Sequence, residues 1–203
     1  MIPSISGATA KTAMNITDPE MNGTEYMTLD TIIGDSIDLD KAYNNKLYLS
    51  LVPENVLSQW SRVSDVANFI ADFYNHDLPS PLAHNTISTV LNELIENAVK
   101  FAHDKSVPID IYTFKNNNEF IFRVTNTVSE GAIDDFSRLC STLFSQDLNR
   151  LYIQRIEDLF HNRAKTGIGL ILLKKDYRMD INFGFSRMGG RLALTVTAKI
   201  KVE

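Results

Sequence analysis

One cysteine, Cys140, is all that the 203-residue chain contains. An intrachain disulfide and a cysteine-based zinc site are thereby excluded. No apolar run approaches the roughly 20 residues that a membrane-spanning helix requires, so no membrane association is expected. Residues 1–23 have neither a basic start nor an apolar core, and no secretory signal is expected there. Positive charge is also in short supply: 20 Lys and Arg against 25 Asp and Glu leave a net charge of −5. That balance argues against non-specific binding to nucleic acid or to an anionic membrane surface. Internal repeats and low-complexity tracts are missing as well. A cytoplasmic location is the expectation these absences leave.

What is present suits one domain. A hydrophobic content of 44% with 22% charged residues is the balance of a chain that buries a core of ordinary size. Residues 1–23, rich in Ser, Thr, Asn and Gly, are expected to form a mobile tail, and residues 24–203 a single domain. Short strands are expected at 25–33 and 46–52; in the second, Leu47, Leu49 and Leu51 alternate with Tyr48, Ser50 and Val52. Val56, Trp60, Val63, Val66, Ala67 and Ile70 recur at helical spacing and predict a helix over 54–75. A second helix is expected over 82–103, with Ile87, Val90, Leu91, Leu94, Ala98 and Phe101 as its buried stripe. Strands at 108–115 and 119–127 flank Asn116-Asn117-Asn118, where Asn tolerates the positive φ of a tight turn. Two helical pieces fill 132–162, a further helix ends near Tyr177, and strands at 179–187 and 191–201 enclose Met188-Gly189-Gly190. This order predicts an α+β two-layer sandwich, a mixed sheet with helices on one face.

Two segments carry chemistry. In Asn92-Glu93-Leu94-Ile95-Glu96-Asn97-Ala98-Val99-Lys100-Phe101, Glu93 and Asn97 are four apart and share a helical face, with Lys100 three further on. That ridge borders the apolar stripe, so it can edge a pocket. An Asn oxygen can complete a magnesium shell shared with phosphate oxygens and water. A neighbouring Glu can take a proton from an attacking hydroxyl. The same residues are also ordinary on a solvated face, where Glu96 and Lys100 would form an i, i+4 pair. The second segment, Thr166-Gly167-Ile168-Gly169-Leu170, is a glycine turn opening a helix. Such a turn can bring free N–H groups close to a phosphate, or merely cap the helix. Lys165, with Arg163 and His161, adds positive charge just before it.

Taken together, these segments resemble the motifs of the Bergerat-fold, or GHKL, ATPase and kinase superfamily. Glu93-Leu-Ile-Glu-Asn97-Ala-Val-Lys is similar to its N-box, and Thr166-Gly-Ile-Gly-Leu170 to its later glycine box. Glu rather than Asn at position 93 resembles the branch of anti-sigma-factor serine kinases, as does the strand at 47–52 with Pro53 and the helix after it. The resemblance spans roughly residues 46–201. It implies a mixed sheet under three helices, with ATP and Mg2+ held between the N-box helix and a lid near 132–165. Asn97 would bind the metal, Glu93 would be the catalytic base, and Gly167 and Gly169 would hold phosphates. Lys100, Lys165, Thr166 and Leu170 would complete the cofactor site. A homodimer is a further expectation, because members of this superfamily often pair.

The resemblance breaks at the family's Asp-x-Gly-x-Gly box. The matching stretch reads Thr125-Asn126-Thr127-Val128-Ser129-Glu130-Gly131, with Asn126 in place of the Asp that accepts from the adenine amino group. Asn126 keeps an acceptor oxygen without the charge, and Val128 stands where a glycine keeps the pocket open. The lid region carries two apolar stripes instead of a polar flap, with Phe144, Tyr152 and Phe160 as candidate docking anchors. Two functions compete. One is an ATP-binding serine/threonine protein kinase of bacterial partner switching, which phosphorylates a small regulatory protein. The other is an interaction module that kept the fold and lost the nucleotide. A histidine-kinase catalytic part, or an unrelated enzyme pairing Glu93 with His84 or His103, has less in the sequence behind it.

Overall fold

The computed structural model describes residues 31–39, 45–161 and 168–203. The expected tail and most of the first expected strand lie outside the described residues. Six strands form one sheet: β1 (Thr31–Gly34), β2 (Asn45–Leu51), β3 (Ile109–Asn116), β4 (Glu119–Thr127), β5 (Asp180–Met188) and β6 (Arg191–Lys201). The helices are α1 (Pro53–Leu57), α2 (Ser61–Phe73), α3 (Pro81–Phe101), α4 (Ala132–Ser145), α5 (Leu148–Phe160) and α6 (Ile168–Asp176).

Strand order is β1-β5-β6-β4-β3-β2. The α+β class and the helix-covered sheet are as expected, but every pairing is antiparallel, where a mixed sheet was expected. The physical reason lies in the connections. β3–β4 and β5–β6 are hairpins, which can only be antiparallel. Between β2 and β3, the antiparallel pair α2 and α3 returns the chain to the end it left, and Glu54 N donates to Lys105 O at 3.0 Å to close that loop. Turn chemistry agrees with the sequence. Asn117 takes φ +52°, and Gly189 and Gly190 take φ +54° and +79°, the paired positive values of a type I′ hairpin.

One face of the sheet is apolar and carries the helices. Ile109 and Ile111, Phe120 and Phe122, Ile181 and Phe183, Leu194 and Ala198 are all buried on it. Tyr74 at the end of α2 meets Phe120 edge-on, with ring centroids 5.3 Å apart, and its hydroxyl bonds Thr113 Oγ1 at 2.7 Å. α3 is set by Ser80, whose Oγ accepts from Ala83 N, and by Pro81 in its first turn. Its buried stripe is the expected one with Ala83, Ile95 and Val99 added. Phe101 is the exception. It is 39% exposed because the stripe has rotated past it by the last turn; its ring meets Phe136 edge-on and has the Lys100 ammonium 5.8 Å from its centre. The expected helix at 54–75 is also interrupted. Gln59 N bonds Val56 O, the tight i−3 bond of a terminating turn, and Trp60 faces outward at the start of α2.

The opposite face bears small polar groups: Thr125 and Thr195 join hydroxyls at 3.0 Å. Beyond β1 the chain turns under this face, where Ile37 and Leu39 pack with Phe114 and Ile121 in a second, smaller cluster. The helices of the expected lid pack mainly inward. Phe136 and Phe144 both meet Phe183, and Cys140 and Leu143 are buried. Of the three candidate anchors, Phe144 and Tyr152 lie against the core, while Phe160 is 83% exposed.

The end of β1 is a tight junction that the sequence analysis did not single out. Gly34 has φ +127°, and a Cβ there would lie 2.5 Å from Ile181 O and 2.8 Å from the Phe144 ring. Asp35 next to it accepts from Ile181 N at 2.9 Å and pairs with Lys174 of α6, whose ammonium lies 4.8 Å from the Phe144 ring centre. Gly34→Ala is expected to cost about 1–3 kcal/mol, read as a lower urea midpoint at unchanged slope. Burial pushes the Cys140 thiol up to about 12. Native protein should therefore resist thiol reagents at pH 8 and react fully once unfolded; a fast native reaction would contradict this packing.

Candidate functional site

The N-box-like ridge sits at the C-terminal half of α3, and the fold fixes that end firmly. Lys105 Nζ donates to Val99 O at 2.6 Å and Lys100 O at 2.9 Å, satisfying carbonyls that the helix leaves open. His103 N donates to Thr127 O at 2.8 Å, and Asp104 N to Thr127 Oγ1 at 3.2 Å. The helix end is thus latched to the end of β4. Glu93 and Asn97 are half-buried, and Lys100 is exposed.

Glu93 and Gly169 come together from distant parts of the chain. A Cβ on Gly169 would lie 2.9 Å from Glu93 Cδ and closer still to its Oε2. The carboxylate therefore occupies the space that a side chain at 169 would fill. Leu170, the next residue, is buried in the core and anchors the start of α6. Lys165, Thr166 and Gly167 lie outside the described residues. α6 is held at its far end by Lys174, paired with Asp35, and by Lys175, whose ammonium is 5.4 Å from the Tyr152 ring centre.

Burial raises the Glu93 carboxyl above its ordinary value; Glu96 raises it further and Lys100 opposes both. Asn97 offers a neutral oxygen one turn away. An Asn oxygen with phosphate and water oxygens is the donor chemistry that magnesium prefers, so the residues present fit that ion. No cluster of three or more His, Cys, Asp or Glu that could hold a metal occurs among the described residues.

The end of β4 is packed differently. Asn126 is buried on the helix-covered face, and its amide donates to Thr127 O at 3.1 Å. Val128 is 3% exposed and belongs to the core. A cleft of about 710 Å³ opens beside them, lined by His103, Asp104, Thr127, Val128, Glu130 and Arg191 among others. Glu93, Asn97 and Asn126 do not line it. Arg191 pairs with Asp104 at 3.6 Å and Arg187 with Glu130 at 2.7 Å, so the rim is charge-balanced. Asp104 is held below the usual carboxylate range by the hydroxyl and backbone N–H of Ser106. His84 pairs with Asp72 of α2 at 2.8 Å.

The fold defined by these elements is an α+β sandwich, an antiparallel six-stranded sheet with helices on its apolar face. A solved structure shares it: a chain in the crystal structure of the SiaB–SiaC complex from Pseudomonas aeruginosa. The TM-score is 0.59, the identity 14%, and the match covers 76% of this chain and 89% of that one. At that identity the likeness concerns the fold. No protein-family model matches the sequence, and no curated protein matches it. No helix among the described residues is long and apolar enough to cross a membrane.

The raised Glu93 carboxyl has a thermodynamic consequence. The folded state holds this proton to a higher pH than the unfolded state, whose carboxyl titrates at the ordinary glutamate value. Between those two values the folded state binds more protons, so stability falls as pH rises through that window. Glu93→Gln should therefore raise the melting temperature at pH 7–8. The gain should fade as pH drops below 4.5, where both states are protonated. A gain independent of pH would assign it to packing instead.

Proposed function

We propose that this chain is an ATP-binding regulatory protein of the partner-switching type, a serine/threonine kinase whose substrate is a small protein. The observation that carries the reading is the meeting of Glu93 with Gly169: two motif segments with complementary chemistry share one site. Its latched helix end and half-buried acid suit positioning and proton transfer, which are most of what phosphoryl transfer asks of a protein. A fold shared with a chain of a two-protein complex is consistent with a protein partner.

In this reading Asn97 would hold Mg2+, which when bound neutralises phosphate charge. Lys100 would add positive charge nearby. Glu93 accepts the proton of the substrate hydroxyl while that oxygen bonds to the terminal phosphorus and the bond to the ADP oxygen breaks. Its raised basicity favours this role, since a base works best with a pKa closer to working pH. Glu93→Gln is expected to leave Mg–ATP affinity unchanged and to slow transfer by about 10²–10⁴-fold; full activity in that variant would remove Glu93 from the mechanism.

A second reading rests on Val128 and Asn126. With Val128 inside the core and the Asn126 amide committed to Thr127 O, the purine side is narrower and less polar than an Asp-x-Gly-x-Gly box would make it. The chain would then be a docking module without nucleotide. Thermal unfolding with and without Mg–ATP separates the two. At a hundredfold excess over Kd, a binder gains about 2.7 kcal/mol, or about 5–10 °C for a domain of this size. Wild type should shift and Asn97→Ala should not. No shift in either favours the docking module.

A further inference from the structure

We propose that Gly169 is a positioning residue: the hydrogen it carries in place of a side chain leaves the space in which the Glu93 carboxylate sits. The inference rests on the kinase reading for its catalytic consequence and on geometry alone for its structural one.

A glycine in the first turn of a helix has a cost, since alanine there would stabilise α6. Positive φ does not account for it, because Gly169 is not among the glycines in the left-handed region. Contact with backbone does not account for it either. Outside its own helix and chain neighbours, the three atoms nearest to a Cβ at Gly169 are Oε2, Cδ and Oε1 of Glu93, the end of a side chain and not backbone. Contrast Gly34, where a Cβ would strike the Ile181 carbonyl. There alanine strains the fold, whereas at 169 it pushes on the far end of a flexible side chain. Glu93 can swing away by rotating its own χ angles, and the fold can survive. What cannot survive is the carboxylate's location. Leu170 buried in the core and Lys174 bound to Asp35 keep α6 from retreating, and the apolar stripe of α3 keeps the Glu93 backbone from doing so. The methyl group therefore acts first on the acid, whose atoms are the nearest to it. The glycine of this motif would serve the acid that takes the proton, a task distinct from approaching a phosphate.

The test compares wild type, Gly169→Ala, Glu93→Gln and the double variant, as full chains. Gly169→Ala should fold, keep its Mg–ATP Kd within about twofold, and lose transfer rate as steeply as Glu93→Gln. The double variant should be no slower than either single, as expected of two residues acting as a unit. Unchanged kcat in Gly169→Ala, or losses that multiply in the double variant, would overturn the proposal. If wild type binds and transfers nothing, the kinase reading fails, and the positioning is read from the Glu93 carboxyl itself by carbon NMR titration. Its midpoint should drop toward the ordinary value in Gly169→Ala, as the acid moves into water; an unchanged midpoint overturns the proposal. Should Gly169→Ala not fold, Glu93→Ala combined with Gly169→Ala should restore folding, because the obstructing atoms are gone. Failure of that rescue places the obstruction elsewhere and refutes the assignment.

Discussion

Burial of one helical stripe on one sheet face sets everything else in this domain. Ile87, Leu91, Leu94, Ile95 and Ala98 of α3 lie on the apolar side of β3, β4 and β6. Each fully buried aliphatic side chain of Leu or Ile size contributes about 1.5–3 kcal/mol. A rotation of α3 by half a turn would forfeit most of that, so the helix has one stable rotation about its axis. Glu93 and Asn97 sit at the border of the stripe and inherit that orientation. Their placement is a by-product of core packing, made rigid by Lys105 on the terminal carbonyls and by the bonds to Thr127.

Much of this was legible beforehand because it is local. Period 3.6 marks α3, period two marks β2, and the Asn116–Asn118 and Met188–Gly190 turns follow from which residues tolerate positive φ. Strand direction was not legible, because it depends on where α2 and α3 return the chain. Spacing puts Phe101 on a buried stripe and Trp60 inside a continuous helix, but helix ends leave such stripes, and nothing in a period announces where a helix stops. Gly34, Asp35 and Lys174 were missed for a different reason. Their association joins residues far apart in sequence, and the only local hint was a glycine-aspartate pair closing a strand. Glu93 and Gly169 were each read from motifs; that their atoms compete for one space is a tertiary fact.

The candidate residues fall into two groups. On the α3 and α6 side, the Glu93 carboxylate meets Gly169, with Asn97 one turn further along α3. On the β4 side, Val128 belongs to the core and Asn126 satisfies part of its hydrogen bonding within its own strand. The nearby opening around His103, Thr127 and Arg191 is bordered by paired charges, so it offers no strong field to a ligand of either sign.

The strand order also bears on how the chain emerges from the ribosome. β2, β3 and β4 are neighbours both in sequence and in space, so a three-stranded sheet with α1–α3 on it can assemble once residue 127 is made. Its outer strand would then be β4, whose Phe120, Ile121, Phe122 and Val124 are apolar on both faces. The natural cover for that edge, β6, arrives only with the last residues of the domain, and β1 waits for β5 over the same interval. An uncovered apolar edge pairs readily with other strands. The nascent chain thus carries β4 with one edge uncovered from residue 127 until β6 is made at Arg191–Lys201, and slow translation over that stretch would lengthen the exposure.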